Sequence, residues 1–169
     1  YVVPHLTSLD VSRWDTSKVT DMAQMFFDCI ALSTLDTADW NTSNVTTMAS
    51  MFEGCWALDS LDVSHWDTSK VANMNSMFSQ CKKLSTLNAS SWSTSSLTDI
   101  GGMFWRCFSL HSLTLGAQWT KTLTSSSLPS TLYRDDGKGY ALAEVPLGAA
   151  ATYYTKAEYV PQGNPAGKD

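Results

Sequence analysis

The residues with the most chemical potential in this sequence are four cysteines, three histidines, seven tryptophans and an excess of aspartate over glutamate. Cys29, Cys55, Cys81 and Cys107 suggest two disulfides or, with His5, His65 and His111, a zinc site. A row of tryptophans suggests a platform for sugars, and Asp15, Asn41, Asp67 and Ser93 suggest a calcium cage. Spacing decides among these chemistries. The four cysteines are 26 residues apart each time, and so are Trp14, Trp40, Trp66 and Trp92. The pairs Met25-Phe26, Met51-Phe52, Met77-Phe78 and Met103-Phe104 keep the same step. One residue of each kind per unit is the mark of an internal repeat, not of groups converging on a site.

The unit reads L-x-x-L-D-V-S-x-W-D-T-S-x-V-T-x-M-x-x-M-F-x-x-C. Its alternation through Leu58–Thr68 predicts a short strand. Asp67-Thr68-Ser69 predicts a turn and helix N-cap, and Val71, Met74, Met77, Phe78 and Cys81, at spacings of three and four, predict one face of a helix. Alone, such a unit cannot bury both apolar faces; stacked units share a core. Gly101-Gly102 departs from the pattern, because each glycine weakens a helix by about 1 kcal/mol relative to Ala. A fifth unit opens at Leu110 and then slips, with Trp119 one residue late. Leu132 to Leu142 encloses Asp135-Asp136-Gly137-Lys138-Gly139, a hairpin signal, and Gly148 to Thr155 reads as another strand.

Composition narrows the classes of function. The chain has 169 residues and a formal charge of −5, which argues against nucleic acid or an anionic membrane as main partner. Charged residues are only 16%, and Ser and Thr, roughly a quarter of the chain, supply the polarity. No apolar run reaches the roughly 20 residues of a membrane-crossing helix. The sequence carries no G-x-S-x-G, P-loop, H-E-x-x-H or dinucleotide fingerprint.

The units Leu9–Met22 and Leu61–Met74 resemble the repeat of BspA-type leucine-rich-repeat surface proteins, a repeat also found in mycoplasma surface lipoproteins. The segment Leu132–Tyr140 resembles the hairpin that often closes such arrays. The resemblance implies an extracellular protein of the bacterial cell surface, anchored through parts of a longer parent chain and engaged in adhesion or host interaction. The expected architecture is an α/β repeat: a right-handed leucine-rich-repeat solenoid of strand-turn-helix units with a β-rich C-terminal cap. The array is expected over 1–115, the cap with its β-hairpin over 116–160 and a linker over 161–169.

Each suggestive residue has a structural reading beside the functional one. The cysteines read as buried thiols, since neighbouring helices pack about 8–10 Å apart and a disulfide needs Cα atoms within about 7 Å. The tryptophans and Met-Phe pairs read as core. The column Asp15, Asn41, Asp67 and Ser93 reads as capping of turn N–H groups, with calcium as the alternative. Ligand contacts are expected where the units vary: Asp10, Asp36, Asp62, Arg13, Asp39 and His65 on the strand side, and Phe27, Trp56 and Trp105 on the helix side. The expectation is a non-enzymatic binding or adhesion module, with no cofactor and no metal, for a protein or glycan ligand. The alternative is a spacer that projects another domain from the cell wall.

Overall fold

The computed structural model describes residues 5–123, 128, 131–135, 137–141 and 144–155. The expected linker over 161–169 lies outside them. The units stack in register as expected, but not as strand-turn-helix units: among the described residues there is no α-helix. The α/β leucine-rich-repeat solenoid is therefore corrected to a nearly all-β chain. The described residues form five strands, β1 (Thr86–Ala89), β2 (Ser112–Leu115), β3 (Thr131–Arg134), β4 (Gly139–Ala141) and β5 (Ala151–Tyr154). They form one mixed sheet in the order β1-β2-β5-β3-β4.

The segment read as a helix is a ribbon of consecutive turns. In the first unit Met25, Phe27 and Cys29 donate their amides three residues back, to Met22, Gln24 and Phe26. The amides between them point the other way: Met22, Gln24, Phe26 and Asp28 donate to Thr47, Ala49, Met51 and Glu53 of the following unit. The next two units repeat this alternation. Helical i→i−4 bonding is thereby replaced by half local and half inter-unit bonding. Two left-handed residues per unit enforce it: Gln24 and Asp28, Ser50 and Gly54, Ser76 and Gln80, Gly102 and Arg106. A left-handed residue at the third position of a turn cannot sit in a right-handed helix. Apolar side chains at three- and four-residue intervals thus face the core by turn geometry, which is why the periodicity mimicked a helix. Gly102, with φ +64°, is no irregularity but falls in its natural column.

The predicted strand is also shorter than expected. Regular pairing in that column begins only with β1 and β2, which run parallel with Leu87 opposite Leu113. The Leu58–Thr68 stretch forms no strand; it ends in a turn in which Asp62 Oδ1 accepts the Ser64 amide at 2.9 Å. A second ladder of parallel bridges joins Asp21, Thr47, Asn73 and Asp99. The predicted hairpin is present as β3 and β4, with Thr131 opposite Ala141, and β5 pairs antiparallel with both β2 and β3.

Two aromatic columns run through the core. Trp14, Trp40, Trp66, Trp92 and Trp119 stack with centroids 6.0–6.5 Å apart. Phe26, Phe52, Phe78 and Phe104 stack at 5.3–6.0 Å beside them. The columns also touch each other, as between Phe78 and Trp92 at 6.5 Å. Each such pair contributes about 0.5–1.5 kcal/mol beyond the area it buries. Met48, Met51, Met74 and Met77 fill the space around them and are fully buried.

A buried indole N–H needs an acceptor. Trp92 Nε1 donates to the Val63 carbonyl, 29 residues earlier, at 3.1 Å. The same offset from Trp66 falls on Thr37, whose carbonyl is instead 2.7 Å from His65 Nε2, and Trp66 Nε1 is left without a partner.

Two stability measurements check this architecture. Gln80→Gly relieves a left-handed residue at φ +63° and raises the unfolding free energy by about 0.5–1 kcal/mol, where a helix would lose about 1 kcal/mol. Trp66→Phe is less damaging than Trp92→Phe by about 1 kcal/mol in denaturant unfolding, because only Trp92 loses an indole hydrogen bond.

Candidate functional site

The side chains that looked most reactive are committed to the stack. All four cysteines are buried free thiols. Cys55, Cys81 and Cys107 donate Sγ–H to the carbonyls of Phe26, Phe52 and Phe78 in the preceding unit, at 3.1, 3.2 and 3.0 Å. Burial pushes the thiols of Cys55 and Cys107 up to about 12 and that of Cys81 well above its ordinary value. A protonated, enclosed thiol is a poor nucleophile and a poor metal ligand.

The aspartates are committed as well. Asp15, Asn41 and Asp67 each accept the amide two residues on, from Ser17, Ser43 and Ser69, at 2.9–3.0 Å. These are Asx turns, so the column caps turns as expected, although no helix follows. A second column does the same at Asp21, Asn73 and Asp99. The candidate ligand residues Asp10, Asp36 and Asp62 form a third: their Oδ1 atoms accept the amides of Ser12, Ala38 and Ser64 at 2.9–3.1 Å. Hydroxyl and then amide hydrogen bonds from Ser12 and Ser64 hold the Asp10 and Asp62 carboxyls below the usual range.

The remaining candidates are scattered. Arg13, Asp39 and His65 are exposed, with His65 bound to the Thr37 carbonyl. Phe27, Trp56 and Trp105 are 37%, 42% and 37% exposed. Lys82 Nζ lies 3.4 Å from the Trp56 ring centroid, and the Arg106 guanidinium 4.2 Å from that of Trp105. Each contact contributes about 0.5–1 kcal/mol at an exposed site. No hydrogen bond or ring contact joins any two of the nine candidates among the described residues.

What does form a concavity is a groove of about 490 Å³ lined by Asp59, Lys83, Ser85, Phe108, Ser109, Leu110, His111 and Thr155. Its floor is a row of backbone hydrogen bonds across four segments: Ser85 N–H to Asp59 C=O at 3.4 Å, His111 N–H to Ser85 C=O at 3.0 Å, and Thr155 N–H to His111 C=O at 3.1 Å. Phe108 stands over it, 74% exposed. None of the nine candidates lines this groove. Its readable signals were two columns that vary from unit to unit, Ile30, Trp56, Lys82 and Phe108, and Ser33, Asp59, Ser85 and His111; Thr155 arrives only through β5. Sequence reading also missed a row of threonines. The buried hydroxyls of Thr16, Thr42, Thr68 and Thr94 donate to the carbonyls of Asn41, Asp67, Ser93 and Gln118 of the following unit.

Stacked turn-ribbon units whose reactive groups serve the stack, and whose outer columns vary, define a repeat protein. The chain belongs to the family described as Mycoplasma protein of unknown function, DUF285, which matches residues 3–119. The match spans the stacked units and ends at Trp119, before the hairpin. No curated protein and no solved structure matches the chain.

The thiols set a pH dependence. Below pH 9.0 they are neutral in folded and unfolded chains alike; above it the unfolded chain ionises first, while Cys55 and Cys107 resist to about 12. Stability therefore falls as pH rises from about 9 to about 12, and Cys55→Ala-Cys107→Ala flattens this loss in pH-dependent urea melts. Thiol labelling of the native chain at pH 8 proceeds only at the rate of unfolding.

Proposed function

We propose that this chain is a non-enzymatic binding module of a bacterial cell-surface protein, akin to the BspA-type proteins that its repeat resembles, and that it engages a protein or glycan through outward side chains of several units. The observation that carries this reading is the division of labour among columns. Cys, Thr, Trp, Phe and most Asp side chains recur and are tied to a neighbouring unit or to the next turn. The outer turns instead carry Phe27, Trp56, Trp105 and Phe108, large apolar groups exposed in columns where other units carry Glu53 or Lys82. Within this reading Asp10, Asp36 and Asp62 shape turns, and the aromatic side carries the contacts. The family's description assigns no function and names no ligand.

The competing reading, a spacer that projects another domain, rests on the same tied aspartates: a face whose polar groups bond inward has little left for a partner. A binding screen of the whole chain against immobilised matrix proteins and glycans separates the two. A binder gives saturable binding that Trp56→Ala and Trp105→Ala weaken about tenfold, corresponding to about 1.4 kcal/mol, while each variant stays folded and loses stability only on the order of its cation–π contact. A spacer gives no saturable signal in any well, and that result sinks the proposal.

A further inference from the structure

The groove differs from the rest of the polar surface in what its side chains leave undone. Seven aspartates, Asp10, Asp15, Asp21, Asp36, Asp62, Asp67 and Asp99, spend an oxygen on a local amide. The Asp59 carboxylate makes no hydrogen bond or ion pair among the described residues, and neither does the Lys83 ammonium in the same groove. The hydroxyls of Ser85, Ser109 and Thr155 are equally uncommitted among those residues. An acceptor-only group, a donor-only group and three hydroxyls that do both thus surround one opening.

Phe108 supplies the apolar wall. Its column runs Ile30, Trp56, Lys82, Phe108. In the middle of the stack the exposed ring of Trp56 is covered by Lys82 of the next unit. Among the described residues Phe108 has no such cover, and it is the most exposed of their large apolar side chains.

We propose that this groove is a saccharide-binding site for a neutral di- or trisaccharide, with Phe108 as the stacking platform. The inference rests on the binding-module reading and names one site within it. The face of a pyranose ring presents C–H groups to the electron-rich face of an aromatic ring, and its hydroxyls both donate and accept. Asp59 accepts from two neighbouring sugar hydroxyls, Lys83 donates to a third, and Ser85, Ser109 and Thr155 complete the edge. The row of four segments on the floor spans about 14 Å at the usual strand separation, the length of a short oligosaccharide. The Asp59 and Lys83 charges cancel, so the site favours a neutral ligand over a phosphate or sulfate. An extended peptide adding as a strand is disfavoured, because the floor's backbone groups already bond along the row. The volume lies within the range of small-ligand sites. The opening is shallow, so affinity per site is on the order of 1 mM and useful binding comes from multivalency.

The test is an amide-resolved NMR titration of the whole chain with N,N′-diacetylchitobiose, lactose, cellobiose and maltose at tens of millimolar, with 3′-sialyllactose and inorganic phosphate as charged controls. The expected result is that at least one neutral disaccharide moves the amides of Ser85, Phe108, Ser109, His111 and Thr155, and moves them more than the charged controls do. Phe108→Ala and Asp59→Asn each weaken that response at least tenfold, while the remaining amides and the melting temperature stay as they were. Absence of groove shifts with all four sugars, or shifts that persist in Phe108→Ala, overturns the inference. A ligand found in the wider screen whose binding ignores Phe108→Ala also overturns it, yet leaves the binding-module reading standing. Silence in both experiments removes both.

Discussion

A backbone amide buried without an acceptor costs about as much as a lost hydrogen bond, and each unit of this chain can satisfy only every second amide of its turn ribbon by itself. Met22, Gln24, Phe26 and Asp28 must find carbonyls in the following unit, and they find them 25 residues ahead, at Thr47, Ala49, Met51 and Glu53. That obligation makes the repeat length rigid. An insertion within the ribbon would move the donors and rings of the preceding unit, whose partners lie just beyond it, off their acceptors and neighbours. The Trp and Phe columns, the Thr hydroxyls and the Cys thiols all exploit the same register, each bonding or stacking one unit away. Cysteine suits its column because a small, mostly apolar side chain must still reach the phenylalanine carbonyl of the preceding unit.

Much of this was legible in the sequence. The 26-residue step, the recurring core residues and the turn-capping role of Asp15, Asn41 and Asp67 follow from spacing and residue type, and the structure holds them there. The helix was a misreading with a clear physical source. Apolar residues at intervals of three and four describe a helical face, but they also describe successive three-residue turns, and only the hydrogen-bond partners separate the two. The left-handed positions would have betrayed the turns had they all been glycine. They are filled instead by Gln24, Asp28, Ser50, Ser76, Gln80 and Arg106, which the register of inter-unit bonds holds at a local cost of about 1–2 kcal/mol each. Low helix propensity in a Ser-, Thr- and Asp-rich repeat was the available warning.

The candidate site was less legible, for a different reason. Variation marks positions freed from the fold, yet it does not distinguish a side chain facing water from one aimed at a partner. Asp36 and Asp59 are both exposed aspartates, and only the structure shows that the first holds the Ala38 amide while the second holds nothing. The groove also joins residues from three units and from β5, a strand whose return to the stack no repeat pattern contains.

That return ends the ladder and, in doing so, makes the groove. A stack of parallel units leaves an unpaired edge at its end, a template for further pairing or aggregation. Here β5 runs antiparallel along β2, Ser112 opposite Tyr154 and Leu115 opposite Ala151, and so replaces the next unit with a strand of opposite direction. The replacement satisfies the edge, and the described residues supply no outer turn over Phe108 such as a further unit would have laid there. Thr155 arrives just after β5 beside His111, and no described residue takes above Phe108 the position that Lys82 fills above Trp56. An open aromatic face beside uncommitted hydroxyls and charges is thus a consequence of how the array terminates. In the interior the one comparable ring, Trp56, is covered by Lys82 of the following unit.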